Sequence, residues 1–565
     1  MTTYKLNIFK VILPSVLLLG SCKKFLDVNK NVNDPIAVPV AILLPDAEKN
    51  LANSLAIGGG LSQDLAVYTH QMSTREAPDQ YGVTGGDFNV QNAWSTFYDG
   101  ALVSLDEIIK AATPAGNFKY AGIAKILKAY GYSQFVDVFG DIPFTEANKF
   151  KDGVQFAKFD ASKDIYPALI AMINEGLADI SNKAVNPKVP KEDDVIYGGD
   201  TTKWKKAANT IKLKLYTQVR KVQNVQADVT ALLATPANLI NTTAESFLLP
   251  YGPQGATDDR NPGFGDYFAT QRANHISPWF YGILKGYNPN IFTSIADPRV
   301  PYYFYNQMKA TTATREGNQT EYRDGAFVSI YFGSVGPDRD RNQQGTISVM
   351  GMYPVGGRYD QGDGLNVNAT SGTGAAPYRF ITYADRLYLE AELINVGLAP
   401  GDAKTKLQAA IKESFRQVDY VITTYVKPSQ TVPSLIGTGL DTAYTRKVLT
   451  TYDAASADKK LEIIMTEKWI SSYGSAVDQY TDYRRTTYPV LFDPRNAAMA
   501  PGGFVQPPIN GDPVNPNPPP QKAVPVKQSL AFPLSLPWST SELEKNQAAP
   551  AQKNPQTYKV FWQQP

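Results

Sequence analysis

Apolar residues recur every three or four positions over several long windows, the spacing that buries one face of a helix. In residues 94–112, Phe97, Ala101, Leu105 and Ile108 step along one side. Residues 119–139 repeat the pattern with Tyr120, Ile123, Leu127 and Tyr130, and Gly140 and Pro143 end it in the loop 139–147. Ile165, Leu169, Met172, Gly176 and Ile180 form a third stripe. Residues 202–223 form a fourth, a basic amphipathic helix whose lysines read as a solvated face. Further on, Tyr383, Leu387, Ala391 and Ile394 make one stripe and Leu407, Ile411 and Phe415 the next. Gly397 is placed to stop the first and Pro400 to prevent its continuation. Residues 383–416 thus predict a helix–turn–helix of about tetratricopeptide length, without that repeat's consensus. Residues 459–473 predict one more helix, and 501–525, rich in Pro and Asn, an exposed loop.

Between residues 249 and 378 the periodicity fades. Stretches such as YGPQGATDDRNPGFGDYF and MYPVGGRYDQGDGLNVNATSGTGAAPY are Gly-, Pro- and Asn-rich. Irregular segments this long in a compact protein carry function or are disordered, and the regular aromatics argue against disorder. No linker divides the rest, so residues 46–565 are expected as a single domain with a loop-rich lobe over 249–378.

The chain starts differently. Lys5 and Lys10 precede an apolar run, 11–19, too short to span a bilayer. These are the parts of an export signal. The run ends in Leu19-Gly20-Ser21-Cys22, which resembles a bacterial lipobox, and Cys22 is the only cysteine in 565 residues. Residues 1–21 read as a lipoprotein signal, Cys22 as the lipidated residue, and 22–45 as a polar tether. No thiol is left for disulfides, thiol catalysis or a cysteine–zinc site. A net charge of +2 offers no basic face for nucleic acid. With only His70 and His275, a histidine-rich metal site or a Ser-His-Asp triad has few residues to draw on, and both histidines read as structural. Asp338, Asp340 and Asn342 alternate like half a calcium loop, but they lack its Gly and distant Glu, and the intervening arginines oppose a cation. Neither a metal nor a cofactor is expected.

Several segments resemble, in order, the SusD/RagB family of outer-membrane nutrient-binding lipoproteins. They are CKKFLDVNKNVNDP (22–35), AYGYSQFVDVFGDIPFTEA (129–147), IYGGDTTKWKKAANTIKLKL (196–215), DPRVPYYF (297–304), ITYADRLYLEAE (381–392), EKWISSYG (467–474), YTDYRRTTYP (480–489) and FPLSLPWSTSELEKN (532–546). The resemblance implies a mainly α fold, a tetratricopeptide-like helical-pair scaffold with a loop-rich irregular lobe. It implies lipid anchoring in the outer membrane facing the cell surface, although Lys23 and Lys24, rather than acids, follow the cysteine. It also implies a partner, a SusC-like TonB-dependent transporter, and a cargo of oligosaccharide or peptide. The two adjacent arginines of YTDYRRTTYP and the VFGDIPFTEA loop read as structural networks rather than ligand grips.

A sugar presents an apolar C–H face and a hydroxyl rim, so its site needs rings and polar side chains together. The loops 80–94 and 258–359 supply both. Tyr81, Trp94, Trp279, Tyr281, Tyr353 and Tyr359 are candidate platforms; Asp87, Asn89, Asn274 and Arg358 are candidate polar partners. Non-catalytic capture of oligosaccharide is the function expected. The alternatives are a RagB-like peptide lid, a structural lid without affinity of its own, and a glycoside hydrolase, for which no carboxylate pair stands out.

Overall fold

The computed structural model describes residues 38–74, 80–255, 258–272, 274–287, 294–311, 321–336, 345–508 and 521–563. The signal, Cys22 and the Asp338–Asn342 alternation lie outside them.

The helical stripes form where the periodicity puts them, with revised ends. A helix at Phe118–Phe139 packs along one at Ser162–Ser181. At their closest approach Gly122 and Gly176 face each other: a Cβ on Gly122 would lie 2.6 Å from the Gly176 carbonyl oxygen. Only glycine lets the two backbones come this near. The predicted helix–turn–helix is present as Tyr383–Asn395 and Ala403–Val421. Gly397 ends the first helix with φ +77°, and the Leu398 N–H returns to the Leu393 carbonyl, a left-handed stop that favours glycine. Thr382 opens that helix in a reciprocal capping box with Asp385. Ala457–Ser471 and Val477–Thr486 complete the C-terminal layer.

Four expectations need correction. The helix expected from residue 94 begins earlier: Phe88–Ser95 runs through a π-helical turn, Thr96–Leu102, into Val103–Ala112. One extra residue in a turn leaves the apolar spacing nearly unchanged, so the pattern does not reveal it. The tether expected to reach residue 45 gives way to a helix at Val40–Leu55, because Leu44, Ala47, Leu51 and Leu55 bury there despite Pro45. The basic helix, Thr201–Val219, is not simply a solvated face: Lys214 is buried, 2.9 Å from Asp478, and Lys206 pairs with Glu245 at 2.6 Å. Nor is 501–525 all loop, since Phe504–Val505 pairs with Val524–Pro525.

Every sheet among the described residues has two strands. One of them ties off the irregular segment, with Phe247–Leu249 antiparallel to Tyr378–Ile381 and Leu249 opposite Tyr378. Residues 249–378 thus leave the scaffold and return to it at one point. Within them lie the hairpin Glu321–Asp324/Phe327–Ile330 and short helices at Gly263–Phe268, Pro278–Leu284, Val300–Tyr303 and Met352–Val355.

The segments that carry the family resemblance meet one another in the interior. Arg299 is fully buried between Asp297 (2.6 Å) and Glu467 (3.1 Å), and its Nη1 donates to Ser414. Arg485 forks onto Glu392 and Asp482. Arg484 donates to the Leu534 and Asp137 carbonyls and lies over the Tyr480 ring. The adjacent arginines are therefore a buried network that staples the helix Val477–Thr486 to three distant segments. His70 is buried as well, its Nε2 2.7 Å from the Tyr81 hydroxyl, and burial lowers its pKa to about 3.

Candidate functional site

A groove of about 480 Å³ opens on the irregular segment. Its floor is the helix Pro278–Leu284, which starts cleanly: Ser277 Oγ accepts the Trp279 N–H, and Pro278 occupies the first turn. That start puts Trp279 and Ile283, four residues apart, on the groove face. On the opposite face Tyr281 stacks on Phe327, centroids 3.7 Å apart, and fixes the helix against the hairpin. The hairpin contributes Tyr322, edge-on to Tyr331 at 5.3 Å. Phe492 closes the ring of aromatics, 5.7 Å from Trp279 and 6.2 Å from Tyr331. Met499, Val505 and Pro508 form an aliphatic wall.

The polar tips at this groove are held by the protein. Trp279 Nε1 donates to the Val490 carbonyl at 3.1 Å, which sets the indole plane. Tyr287, 49 % exposed, donates to Asp324 Oδ2 at 2.7 Å, and buried Tyr281 donates to the same oxygen at 2.8 Å. Burial and the Asp324 carboxylate raise the pKa of both phenols, so they stay protonated. The arrangement offers ring faces in fixed orientation, with hydroxyl lone pairs and the Gln506 amide for polar contact. Among the described residues no Asp or Glu lines it.

The ten candidate residues do not converge. Trp279 lines the groove, on a helix rather than in a loop. Tyr281 supports it from behind with a buried ring. Tyr81 packs among Tyr68, Phe332 and Phe532 in the core, and Tyr353, 1 % exposed, stacks on Tyr303 beneath Arg379; neither ring offers a free face. Asn274 is buried on a strand opposite Thr74. Arg358 pairs with Asp363 at 2.6 Å over the Tyr305 ring, and Tyr359 packs edge-on to Tyr302 nearby. Asp87 accepts the Thr84 N–H, and Asn89 donates to Asp64. Trp94 lies on the helix, 5 % exposed and stacked on Tyr98, beneath a second groove. Sequence reasoning missed Tyr287, Tyr322, Tyr331 and Phe492. Phe492 is more than 200 positions from Trp279, and nothing local signals their meeting.

The fold and this groove can be set beside known proteins. The profile of the family SusD-like_2, described as starch-binding associating with outer membrane, matches residues 32–506. The chain belongs to this family. A search of curated proteins finds no match. Solved structures share the fold at low identity. A chitin-binding protein has a TM-score of 0.66 at 18 % identity, covering 93 % of this chain and 100 % of its own. A SusD homolog from Bacteroides fragilis has a TM-score of 0.63 at 18 % identity, covering 93 % and 99 %. A SusD/RagB family protein from Bacteroides thetaiotaomicron has a TM-score of 0.63 at 17 % identity, covering 93 % and 99 %. SusD-like membership accounts for the mainly α, tetratricopeptide-like scaffold and associates the chain with nutrient binding at the outer membrane. Among the described residues no helix is long and apolar enough to cross a membrane.

Proposed function

We propose that the chain is a non-catalytic capture protein. It holds a neutral oligosaccharide in the Trp279 groove, is anchored to the outer membrane through lipid on Cys22, and passes its cargo to a SusC-like TonB-dependent transporter. The observation that carries this reading is the groove itself: Trp279 and Tyr287 present ring surface to one open volume, and the buried rings Tyr322, Tyr331 and Phe492 back it. The two accessible rings match the C–H faces of sugar units, and a rigid aromatic wall costs little entropy to use. Among the described residues the lining carries no carboxylate, which supports binding without hydrolysis, since glycoside cleavage needs two carboxyl groups about the scissile bond. Similarity to a chitin-binding protein and membership of a starch-binding family point the same way.

A peptide cargo is the second reading. The aliphatic wall of Met499, Val505 and Pro508 favours it, because such a surface suits apolar side chains. The test is a tryptophan-fluorescence titration of a soluble form starting at Lys23 with two panels, neutral oligosaccharides and apolar peptides. Saturation by a saccharide, weakened about tenfold or more in Trp279→Ala, is expected for a stacked ring near the centre of a site. Saturation by peptides alone would overturn the saccharide reading, and turnover of any saccharide would overturn the non-catalytic one.

A further inference from the structure

A second groove, of about 620 Å³, shares no lining residue with the first. It runs along the helix Phe88–Ser95 and its π-helical continuation, and the helix Thr540–Lys545 forms the facing bank. Phe88, Ser95 and Asp99 fall on one side of the first element; Ser541, Glu542 and Lys545 come from the second.

Its chemistry differs from that of the Trp279 groove. Phe88 is 72 % exposed, an open ring on a soluble face. Below it Trp94 and Tyr98 are stacked 4.9 Å apart and pinned, with the Tyr98 hydroxyl donating to the Pro143 carbonyl. Around that aromatic floor stand polar groups with nothing to hold. Among the described residues, the Asp99 carboxylate, the Ser541 hydroxyl and the Lys545 ammonium make no hydrogen bond and no ion pair. Asp99 and Lys545 are both exposed and attract each other across the groove without contact, and partial desolvation raises the Asp99 pKa. Asp99 sits within the π-helical turn, a distortion that often marks functional positions.

We infer that this groove is a second saccharide-binding site, with a sugar's C–H face on Phe88 and its hydroxyl rim on Asp99, Ser541 and Lys545. A free carboxylate accepts two neighbouring hydroxyls, and an ammonium donates to a third. Two acids, Asp99 and Glu542, against one lysine disfavour an anionic ligand, so a neutral saccharide fits. Two sites on one chain would hold a long glycan more tightly than either alone, where the glycan spans both. The inference stands on its own residues, and the test separates it from the reading of the Trp279 groove.

The probes are maltoheptaose, cellohexaose, N-acetylchitohexaose and soluble amylopectin, titrated calorimetrically into the full chain and its variants. Phe88→Ala and Asp99→Asn change exposed positions, so an unchanged melting temperature should accompany both. In a Trp279→Ala background at least one probe should still bind, and adding Phe88→Ala or Asp99→Asn should weaken it roughly tenfold, the loss of one good contact. If Trp279→Ala alone abolishes binding of every probe, the inference is wrong and the Trp279 reading stands; if both second-groove variants leave all affinities unchanged, the inference is wrong whatever Trp279→Ala does. If Phe88→Ala weakens binding while Trp279→Ala does not, the Trp279 reading fails and this one stands. If no probe binds the wild type, both fail.

Discussion

Asp137 and Glu392 are both buried carboxylates, and their neighbours push them in opposite directions. Burial raises Asp137 to about 6, and Lys214, the Tyr166 hydroxyl and Arg484 only partly offset it. Glu392 is equally desolvated, yet Arg485 and Arg220 both reach it and hold its pKa below the usual carboxylate range. The consequences for stability have opposite sign. A carboxyl raised by folding stabilises most below its unfolded value of 3.8 and loses that contribution as pH rises through about 6. Relative to Asp137→Asn, the wild type should therefore gain about 2–3 kcal/mol in urea unfolding between pH 7 and pH 4; a gap that does not change with pH would contradict this. Glu392 contributes above its unfolded value of 4.5, and that contribution is lost as pH falls below it. At pH 7, Glu392→Gln leaves two buried guanidinium groups short of charge and should cost about 3–5 kcal/mol. A loss under 1 kcal/mol would mean that Asp482 and solvent take over the pairing.

At the scale of elements, the helix pair Phe118–Phe139 and Ser162–Ser181 rests on two glycines. Gly122→Ala must push the backbones apart at the crossing and should cost about 1–3 kcal/mol, read as a lower melting temperature. An unchanged melting temperature would show that the helices can slide. The apolar stripes of these helices were legible in the sequence, as was the Gly397 stop, because each depends on local spacing. Two elements were not. Pro45 and its polar surroundings hid the helix Val40–Leu55, whose buried leucines are explained only by the scaffold they meet. The π-helical turn hid because a one-residue insertion barely alters the periodicity. The helix Pro278–Leu284 carried its signal in plain view, a Ser-Pro start, but its seven residues sit in a Gly- and Pro-rich neighbourhood that reads as loop.

At the scale of the molecule, the resemblance segments turn out to hold the chain together. Asp297, Arg299 and Glu467 meet in one cluster, and Glu392 and Arg485 in another. The Trp279 groove lies elsewhere, on residues that no family segment marks. This is why the fold could be read from the chain and the site could not. Of ten candidate residues Trp279 and Trp94 line grooves, and they line different ones. Aromatic content alone does not separate core rings such as Tyr353 from exposed ones such as Tyr287; only packing does. The central claim is that cargo seats on the Trp279 groove, and hydrogen–deuterium exchange with and without a saturating oligosaccharide tests it most directly. The account predicts added protection in Pro278–Leu284, in the hairpin Glu321–Asp324/Phe327–Ile330 and around Phe492. Protection that leaves all three unchanged while saccharide is bound would contradict it.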